Sequence, residues 1–353
     1  MKLLIEGDLL YDAMLEAISN AHESVFLETY ILADDEIGHL FCQALIKIAG
    51  QGVDVRVHVD AAGSLFWGAH RLFYQLKKQG VKVRWFHRWS WRRPLRYNRR
   101  NHRKLLVVDR QIAFLGGFNI HRENSRRLVG DERWRDSHVC FMGQLAAEAA
   151  VIFDDFWNRR RRWVEGVEAS KDINAMLVPN HTRRCRRRMR CVYTDGFDNA
   201  CTSVNVTTPY FVPDHRTQQA LMAAARRGVE VRLLLSRKTD VRLARWAAHA
   251  AYAPLLAAGV RIFEYLPRVL HAKSAVVDGK WATLGTANLD YRSFFVNYEL
   301  NLIVRELEFC GFLDECFEQD LLQAEEIYSV KWAKRSFFQH FLEAIGWCAR
   351  RWL

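Results

Sequence analysis

The chain has 353 residues, half of them hydrophobic and 26% charged, which is typical of a globular protein that buries a sizeable core in one large or two medium domains. Its 52 Lys and Arg outnumber 40 Asp and Glu, giving a net charge of +12. This excess predicts an anionic partner, namely nucleic acid, a phosphorylated metabolite or an acidic membrane surface, and charge alone does not choose among them.

Three classes of protein are excluded by local patterns. Eight cysteines are scattered without a Cys-x-x-Cys pair, which indicates reduced, cytosolic thiols rather than a disulfide framework. Glu6 and Asp8 interrupt the N-terminal apolar residues, so the start is not a signal peptide. No apolar run is long enough to span a bilayer, and any membrane contact is expected to be peripheral.

Helices and strands alternate along the first part of the chain. In chain order, the apolar spacing and the glycines predict helix 12–23, strand 25–32, helix 39–52, strand 53–60, helix 71–80 and strand 81–86. This alternation is typical of an α/β fold with helices on the faces of a sheet.

The second part of the chain repeats this order. Residues 204–212 correspond to strand 25–32, residues 219–236 resemble 43–60, and residues 254–266 resemble 74–86. We interpret the chain as an internal duplication. The predicted divisions are a first half at 1–165, a basic connector at 166–191, a second half at 192–328 and an amphipathic basic C-terminal helix at 329–353.

Each half then carries the same motif, HRKLLVVDRQIAFLGGFN at 102–119 and HAKSAVVDGKWATLGTAN at 271–288. Two short β-prone runs around a turn predict a hairpin, and a histidine and a lysine two residues apart lie on the same face of its first strand. The positions shared at identical spacing are His102, Lys104, Asp109, Gly116 and Asn119 in the first copy, and His271, Lys273, Asp278, Gly285 and Asn288 in the second.

These residue types suit phosphodiester chemistry if the halves pack about a pseudo-two-fold axis and both hairpins face one cleft. Lys104 and Lys273 would bind the non-bridging oxygens, and Asn119 and Asn288 would add neutral donors as charge develops. One imidazole would attack phosphorus while the other protonates the departing alkoxide. The motifs lack the carboxylate clusters of a two-metal site, so no metal or other cofactor is expected.

Each histidine also needs a carboxylate to hold its other ring nitrogen. Asp109 and Asp278 belong to the motifs and are included among the candidate catalytic residues, although their place at the hairpin turns predicts that they brace the turns. Asp136 and Glu299 lie 34 and 28 residues after the histidine of their own half. We expect each of these two acids to orient that histidine.

Three basic segments have two interpretations each. The insertion HRWSWRRPLRYNRRN at 87–101, absent from the second half, mixes arginine with tryptophan and suits either a membrane interface or single-stranded nucleic acid. Arginine runs at 159–162 and 183–190 are either a solvated linker or an attraction to anionic lipid. The tail at 330–353 is either a helix docked on the core or one lying in the membrane plane.

The two H-x-K-x4-D-x6-G-[GT]-x-N motifs resemble the paired HKD signature of the phospholipase D superfamily. The resemblance implies two duplicated α/β/α halves packed about a pseudo-two-fold axis, with one metal-independent active site at their interface. TPYFVPD at 208–214, LETYILADDEIG at 27–38 and GTANLDYRS at 285–293 resemble the bacterial cardiolipin synthases, specifically the shorter branch without N-terminal membrane helices.

That resemblance implies phosphatidyl transfer from one phosphatidylglycerol to a second, giving cardiolipin and glycerol through a phosphohistidine. Phosphatidylethanolamine is implied as a further donor or acceptor. A phospholipase D-type hydrolase and a phosphodiesterase or nuclease of the same superfamily are the alternatives. His102 would be the nucleophile and His271 the acid and base. The implied partners are anionic phospholipids rather than nucleic acid, at the cytoplasmic face of the bacterial inner membrane, and no oligomeric state is predicted.

One departure separates the two copies of the motif. Asn288 is followed by Asp-x-Arg-Ser, whereas the residues after Asn119 lack that pattern. We therefore do not expect the two halves to have equal roles.

Overall fold

Two mixed β-sheets, one from each half of the chain, organise the structure, a computed structural model that describes residues 1–89, 91–92, 97–160, 174–239 and 241–350. The first sheet has the strand order β1-β7-β6-β5-β2-β3-β4, with β2, β3 and β4 parallel and the other neighbours antiparallel. Its strands are β1 (Lys2–Leu4), β2 (Ser24–Thr29), β3 (Asp54–Asp60), β4 (Lys82–Phe86), β5 (Leu105–Val108), β6 (Ile112–Gly116) and β7 (His138–Met142).

The helices of the first half follow the predicted alternation with the strands. The N-terminal helix begins at Gly7 rather than at residue 12, because Leu10 and Tyr11 already belong to its buried face. The next helix is capped by the Asp35 side chain, which accepts the Gly38 N–H, and it ends just before Gly50. These helices are α1 (Gly7–Ser19), α2 (Glu36–Ala49), α3 (Ala61–Leu65), α4 (His70–Lys78), α5 (Arg126–Val129) and α6 (Gln144–Trp157).

The second sheet has the order β17-β12-β11-β9-β13-β14-β16-β8, and β10 pairs with β15 separately. Read from its other edge, the second sheet begins β8-β16-β14-β13-β9-β11-β12. This order repeats the seven strands of the first sheet position by position. The strands are β8 (Ala175–Pro179), β9 (Ser203–Thr208), β10 (Phe211–Val212), β11 (Glu230–Ser236), β12 (Arg261–Tyr265), β13 (Ser274–Val277), β14 (Trp281–Gly285), β15 (Leu289–Asp290), β16 (Leu300–Val304) and β17 (Ala324–Ile327).

The helices of this half are α7 (Arg183–Asp198), α8 (His215–Arg226), α9 (Arg242–Ala257), α10 (Tyr291–Phe295), α11 (Leu307–Leu321), α12 (Ser329–Ala333) and α13 (Phe337–Ala349). The predicted basic connector at 166–191 is wrong for its described C-terminal part. Strand β8 pairs with β16, and the arginine run at 183–190 forms the start of α7, so both belong to the second half. The Arg186 side chain is buried and donates to the carbonyls of Asn180 and Phe295. The rest of the predicted connector, up to residue 173, lies outside the described residues.

A core shared by the two halves joins the sheets. Strand residues of the first half, such as Val107 and Leu115, and of the second half, such as Leu284 and Leu302, belong to one buried cluster. Helices α6 and α11 contribute to the same cluster, which places helices against the sheets of both halves. The predicted fold of duplicated α/β halves is confirmed.

Two matching backbone contacts tie the halves together at the start of each motif. Asn101 bridges to Tyr298, and Leu270 bridges to Arg135. The His102 N–H donates to the Tyr298 carbonyl at 2.9 Å, and the His271 N–H donates to the Arg135 carbonyl at 2.7 Å. The chain entering each histidine is therefore bound to a segment of the opposite half.

The C-terminal segment forms two helices rather than one. Helix α12 ends at Ala333, and Ser336 starts α13 with a capping box that includes Gln339. Helix α13 packs on α9 at Gly346, where a Cβ atom would lie 2.4 Å from the Ala247 nitrogen. The opposite face of α13 is exposed at Phe337, Phe338, Phe341 and Ile345. Docking on the core, one of the two interpretations of the tail, describes one face of α13.

Within the described residues, no helix combines the length and the apolar character needed to cross a membrane.

Candidate active site

The two motif hairpins, β5-β6 and β13-β14, turn at their aspartates. Asp109 and Arg110 have φ values of 49° and 54°, and Asp278 and Gly279 have 53° and 62°. Three residues separate the paired strand ends in each hairpin, and the first two of them have the positive φ values that match the twist of the flanking strands. The same turn therefore closes both motifs.

The turn aspartates brace the sheets rather than face the histidines. The Asp109 carboxylate accepts the backbone N–H groups of residues 22–24, each at 2.8 Å, and Asp278 accepts those of residues 201–203. With a rise of about 3.3 Å per residue, each lies about 16 Å along the hairpin from the motif lysine. Their inclusion among the candidate catalytic residues is corrected, while the expected bracing role agrees with this geometry.

The other ends of the hairpins meet in one cavity of about 380 Å³ between the halves. This volume lies at the lower end of the range of about 300–1,000 Å³ that is usual for ligand sites. Four of the residues predicted from the motifs line it, namely His102, Asn119, His271 and Asn288. Both copies of the motif thus contribute to a single cleft.

Each histidine is held by the acid of the other half. Nδ1 of His102 lies 3.1 Å from both carboxylate oxygens of Glu299, and Nδ1 of His271 lies 2.6 Å from Oδ2 of Asp136. Both acids are fully buried. The sequence-based pairing within each half was wrong. The bridges at the motif entrances explain this, because Tyr298 and Arg135 directly precede the two acids.

The motif position after the shared glycine is Gly117 in the first copy and Thr286 in the second, and each residue fits the acid beside it. At Gly117 a Cβ atom would lie 2.0 Å from Oδ1 of Asp136, so the close approach of that carboxylate requires glycine. At the equivalent position Thr286 donates its hydroxyl to Glu299 at 2.6 Å. Arg103, fully buried beside His102, donates Nε to the Glu299 carbonyl. Each acid is therefore positioned by its own set of contacts.

The motif lysines are almost entirely buried behind the histidines. Lys104 donates Nζ to the His102 carbonyl at 2.8 Å, and Lys273 donates to the His271 carbonyl. The Lys273 ammonium also lies 3.9 Å from Oδ2 of Asp136. No described carboxylate lies within 4 Å of the Lys104 ammonium.

Burial governs protonation in the cleft. It lowers the pKa of His102, against the opposing charge of Glu299. It lowers the pKa of His271 well below its usual value, and the nearby charges of both motif lysines and of His102 act in the same direction. Burial and the charge of Lys273 lower the pKa of Lys104 to about 7. The cleft therefore favours neutral, nucleophilic imidazoles, and the charge of a bound phosphodiester would shift these pKa values upward.

The neutral donors differ in their surroundings. Oδ1 of Asn119 accepts the Ile31 N–H at 3.3 Å, so its amide N–H groups remain for a ligand. Oδ1 of Asn288 is buried, and no described group donates to it. Both side chains lie at the cavity wall beside the histidines, which fits the role of binding phosphate.

Several cleft residues were not predicted from the sequence. The rings of Tyr30 and Trp134 pack against His102 and His271, with centroids 5.0 and 5.3 Å apart. Arg100, Asp290 and Arg292 also line the cavity. Trp134 stands two residues before Asp136, and Asp290 and Arg292 belong to the Asp-x-Arg-Ser pattern after Asn288. These sequence positions do not by themselves reveal which side chains reach the cleft.

The chain matches the family described as "Cardiolipin synthase, PLD-like domain" over residues 14–157 and 193–321. These ranges include both motif hairpins, and the duplicated fold is that of the phospholipase D-like class. Within that class the chain belongs to the cardiolipin synthase family, as the motifs predicted.

Similar curated proteins agree with this assignment. The chain is 30% identical to a cardiolipin synthase of Staphylococcus aureus strain Mu50 over 98% of its length and 72% of that protein. It is 33% identical to cardiolipin synthase 1 of Bacillus anthracis over 97% of its length and 70% of that protein. It is 31% identical to a cardiolipin synthase of Clostridium perfringens over 97% of its length and 75% of that protein.

Solved structures share the fold at low sequence identity. The phosphatidylserine synthase of Haemophilus influenzae Rd KW20 has a TM-score of 0.71 at 13% identity, covering 98% of this chain and 91% of that one. The polyphosphate kinase of Porphyromonas gingivalis has a TM-score of 0.66 at 14% identity, covering 94% of this chain and 49% of that one. At these identities the likeness concerns the fold alone.

Proposed function

We propose that this protein synthesises cardiolipin by transferring a phosphatidyl group from one phosphatidylglycerol to a hydroxyl of a second, with release of glycerol. The observation that carries the proposal is the single cleft in which two buried histidine-lysine pairs meet, each histidine held by an acid of the opposite half. Membership of the cardiolipin synthase family supports the choice of lipid substrates.

In the first half-reaction His102 attacks phosphorus. Because Nδ1 is engaged by Glu299, Nε2 is the nitrogen that forms the bond to phosphorus. The bond from phosphorus to the glycerol oxygen breaks, and protonated His271 gives its proton to that oxygen. Lys104 and Lys273 stabilise the charge on the non-bridging oxygens, together with Asn119 and Asn288. The products are glycerol and a phosphatidyl-histidine.

The second half-reaction reverses these roles. Neutral His271 takes the proton from a hydroxyl of the second phosphatidylglycerol, and that oxygen attacks phosphorus. The bond from phosphorus to nitrogen breaks, which restores neutral His102 and releases cardiolipin. Water in place of the lipid alcohol would give phosphatidic acid, so the acceptor decides between transfer and hydrolysis.

The assignment of His102 as nucleophile follows the family resemblance, while the two histidines have closely similar surroundings. It is tested by quenching the enzyme during turnover of labelled phosphatidylglycerol and locating the labelled peptide. We expect the label at His102. A label at His271 would exchange the two roles.

We place the protein peripherally on the cytoplasmic face of the bacterial cell membrane. Support comes from the exposed Phe337, Phe338 and Phe341 on α13 and from an adjacent cavity of about 1080 Å³. Seven basic and three acidic described side chains line this cavity, which gives it an affinity for anionic head groups. Helix α9 separates the two cavities, with Ala244 on the active-site side and Arg245 on the basic side.

The function is tested by incubating the purified protein with phosphatidylglycerol vesicles, with and without phosphatidylethanolamine, and analysing the products by mass spectrometry. We expect cardiolipin and glycerol in equal amounts. Phosphatidic acid alone would identify a hydrolase, and salt-sensitive cleavage of DNA without lipid products would favour a nuclease. Variants His102→Ala and His271→Ala serve as inactive controls.

A further inference from the structure

The proposed second half-reaction brings two phosphates into one cleft. The acceptor phosphatidylglycerol carries its own phosphodiester, one glycerol unit away from the attacking hydroxyl. The motif lysines and asparagines are already committed to the reacting phosphate. A separate cation in the cleft wall is therefore the feature to look for.

Arg100 has the properties of such a cation. Its side chain lines the same cavity as His102 and is only 5% exposed, yet no described group accepts a hydrogen bond from Nη1 or Nη2. Nη1 lies 3.5 Å from Oδ1 of Asp60, whose oxygens accept the backbone N–H groups of Ala62, Gly63 and Asn101. The guanidinium lies over the Tyr97 ring at 3.7 Å, and its terminal groups are ion-paired with Asp60 without a hydrogen bond to any described group.

Arg292 adds a second guanidinium to this wall. It donates to the Asn98 side chain at 3.0 Å and to the Asn98 carbonyl at 2.5 Å, which joins the insertion at 87–101 to the second half. Burial lowers its pKa, and the nearby charge of Arg100 acts in the same direction. Asp290 also lines the cavity, and burial raises the pKa of its carboxyl group to about 6.

This wall occurs once, whereas the histidine-lysine pairs occur twice. The first-half positions equivalent to Asp290 and Arg292 are His121 and Glu123, and the second half has no insertion before His271. Such an asymmetry would distinguish two identical lipids that take different roles. We propose that Arg100, supported by Arg292, binds the phosphodiester of the acceptor lipid and so selects a phospholipid alcohol over water. This inference rests on the proposed function.

The test compares two soluble acceptors with phosphatidylglycerol in mixed micelles as the donor. One acceptor is deuterated glycerol, and the other is glycerophosphoglycerol, which adds the phosphodiester. The readout is the ratio of their kcat/KM values, measured by mass spectrometry. We expect wild type to prefer glycerophosphoglycerol, and Arg100→Gln to reduce that preference by about tenfold or more, as for loss of a charged hydrogen bond. Arg100→Lys should retain part of it.

Arg99→Gln is the matched control. Arg99 is exposed, and the substitution removes the same charge from the adjacent position. An unchanged ratio in Arg100→Gln, or a ratio that falls equally in Arg99→Gln, overturns the inference. If Arg100→Gln does not fold, Arg100→Lys decides, since a ratio equal to wild type would contradict a geometric role of the guanidinium. Failure of wild type to make cardiolipin from vesicles would instead refute the proposed function.

Discussion

Glu299 holds His102 across the interface, with both carboxylate oxygens 3.1 Å from Nδ1, although 197 residues separate the two in the chain. Asp136 holds His271 in the same crossed manner. Each motif histidine therefore takes its acid from the opposite half. Duplication therefore produced one site that depends on both copies, rather than two independent sites.

The crossed pairing predicts which histidine responds to each acid. Glu299→Gln removes the negative charge that raises the pKa of His102, so that pKa should fall further while the signal of His271 stays near its original position. Asp136→Asn should perturb His271 first. Titration of labelled histidines by NMR distinguishes the two, and we expect kcat to fall about 10- to 1,000-fold in each variant. The reverse pattern would show that each acid holds the histidine of its own half.

Lys104 should set an alkaline limit on catalysis. Its pKa of about 7 lies below the ordinary lysine value of 10.5, so its ammonium is lost as the pH rises through neutrality. The kcat/KM for phosphatidylglycerol should fall above about pH 7 to 8. Lys104→Arg keeps the charge at all these pH values and should move the alkaline limb upward, even if the maximum rate drops. An identical pH profile would show that another group controls this limb.

The same lysine affects stability with a defined sign. Because the folded state has the lower pKa, the unfolded chain binds more protons between about pH 7 and 10.5, and the contribution of Lys104 to folding stability improves as pH rises. Lys104→Met should abolish activity but leave the Tm at pH 7 equal to or above that of wild type. A large loss of Tm would mean that the bond to the His102 carbonyl dominates.

Asp109 should matter for stability rather than for chemistry. Asp109→Asn weakens three hydrogen bonds to backbone N–H groups and should lower the free energy of unfolding by about 1–3 kcal/mol. The kcat/KM at a permissive temperature should stay within about threefold of wild type. Exposed Asp131→Asn is the control for removal of a surface charge. A hundredfold loss of activity in a folded Asp109→Asn variant would show that Asp109 has a catalytic role.

The exposed face of α13 should contribute to membrane binding. Phe337→Ser and Phe341→Ser remove side chains that are 88% and 55% exposed, so vesicle affinity should fall severalfold without a change in Tm. Phe312→Ser, at 47% exposure on α11, is the matched control. Co-sedimentation with phosphatidylglycerol vesicles at low and high salt measures the effect. Equal loss in the control would indicate a general surface effect instead.

The sequence alone determined the parts that depend on local spacing. Repeated motifs located the hairpins and their histidines and lysines, and the matching order of elements revealed the duplication. The predicted placement of His102 and Lys104 on one strand face was wrong, because the strand begins only at Leu105. The turn aspartates were also understood locally, because a residue at a hairpin turn lies far from the strand start. Family membership followed from these motifs.

Only the tertiary structure decided which distant segments meet. The backbone bridges Asn101–Tyr298 and Arg135–Leu270 assign each acid to the opposite histidine, and the bond from Arg292 to Asn98 brings Arg100 to the cleft wall. Strand periodicity fixes the face on which a side chain lies, but not the chain that packs against that face. Contacts across the interface between the halves depend on the packing of both sheets, which no single stretch of sequence specifies.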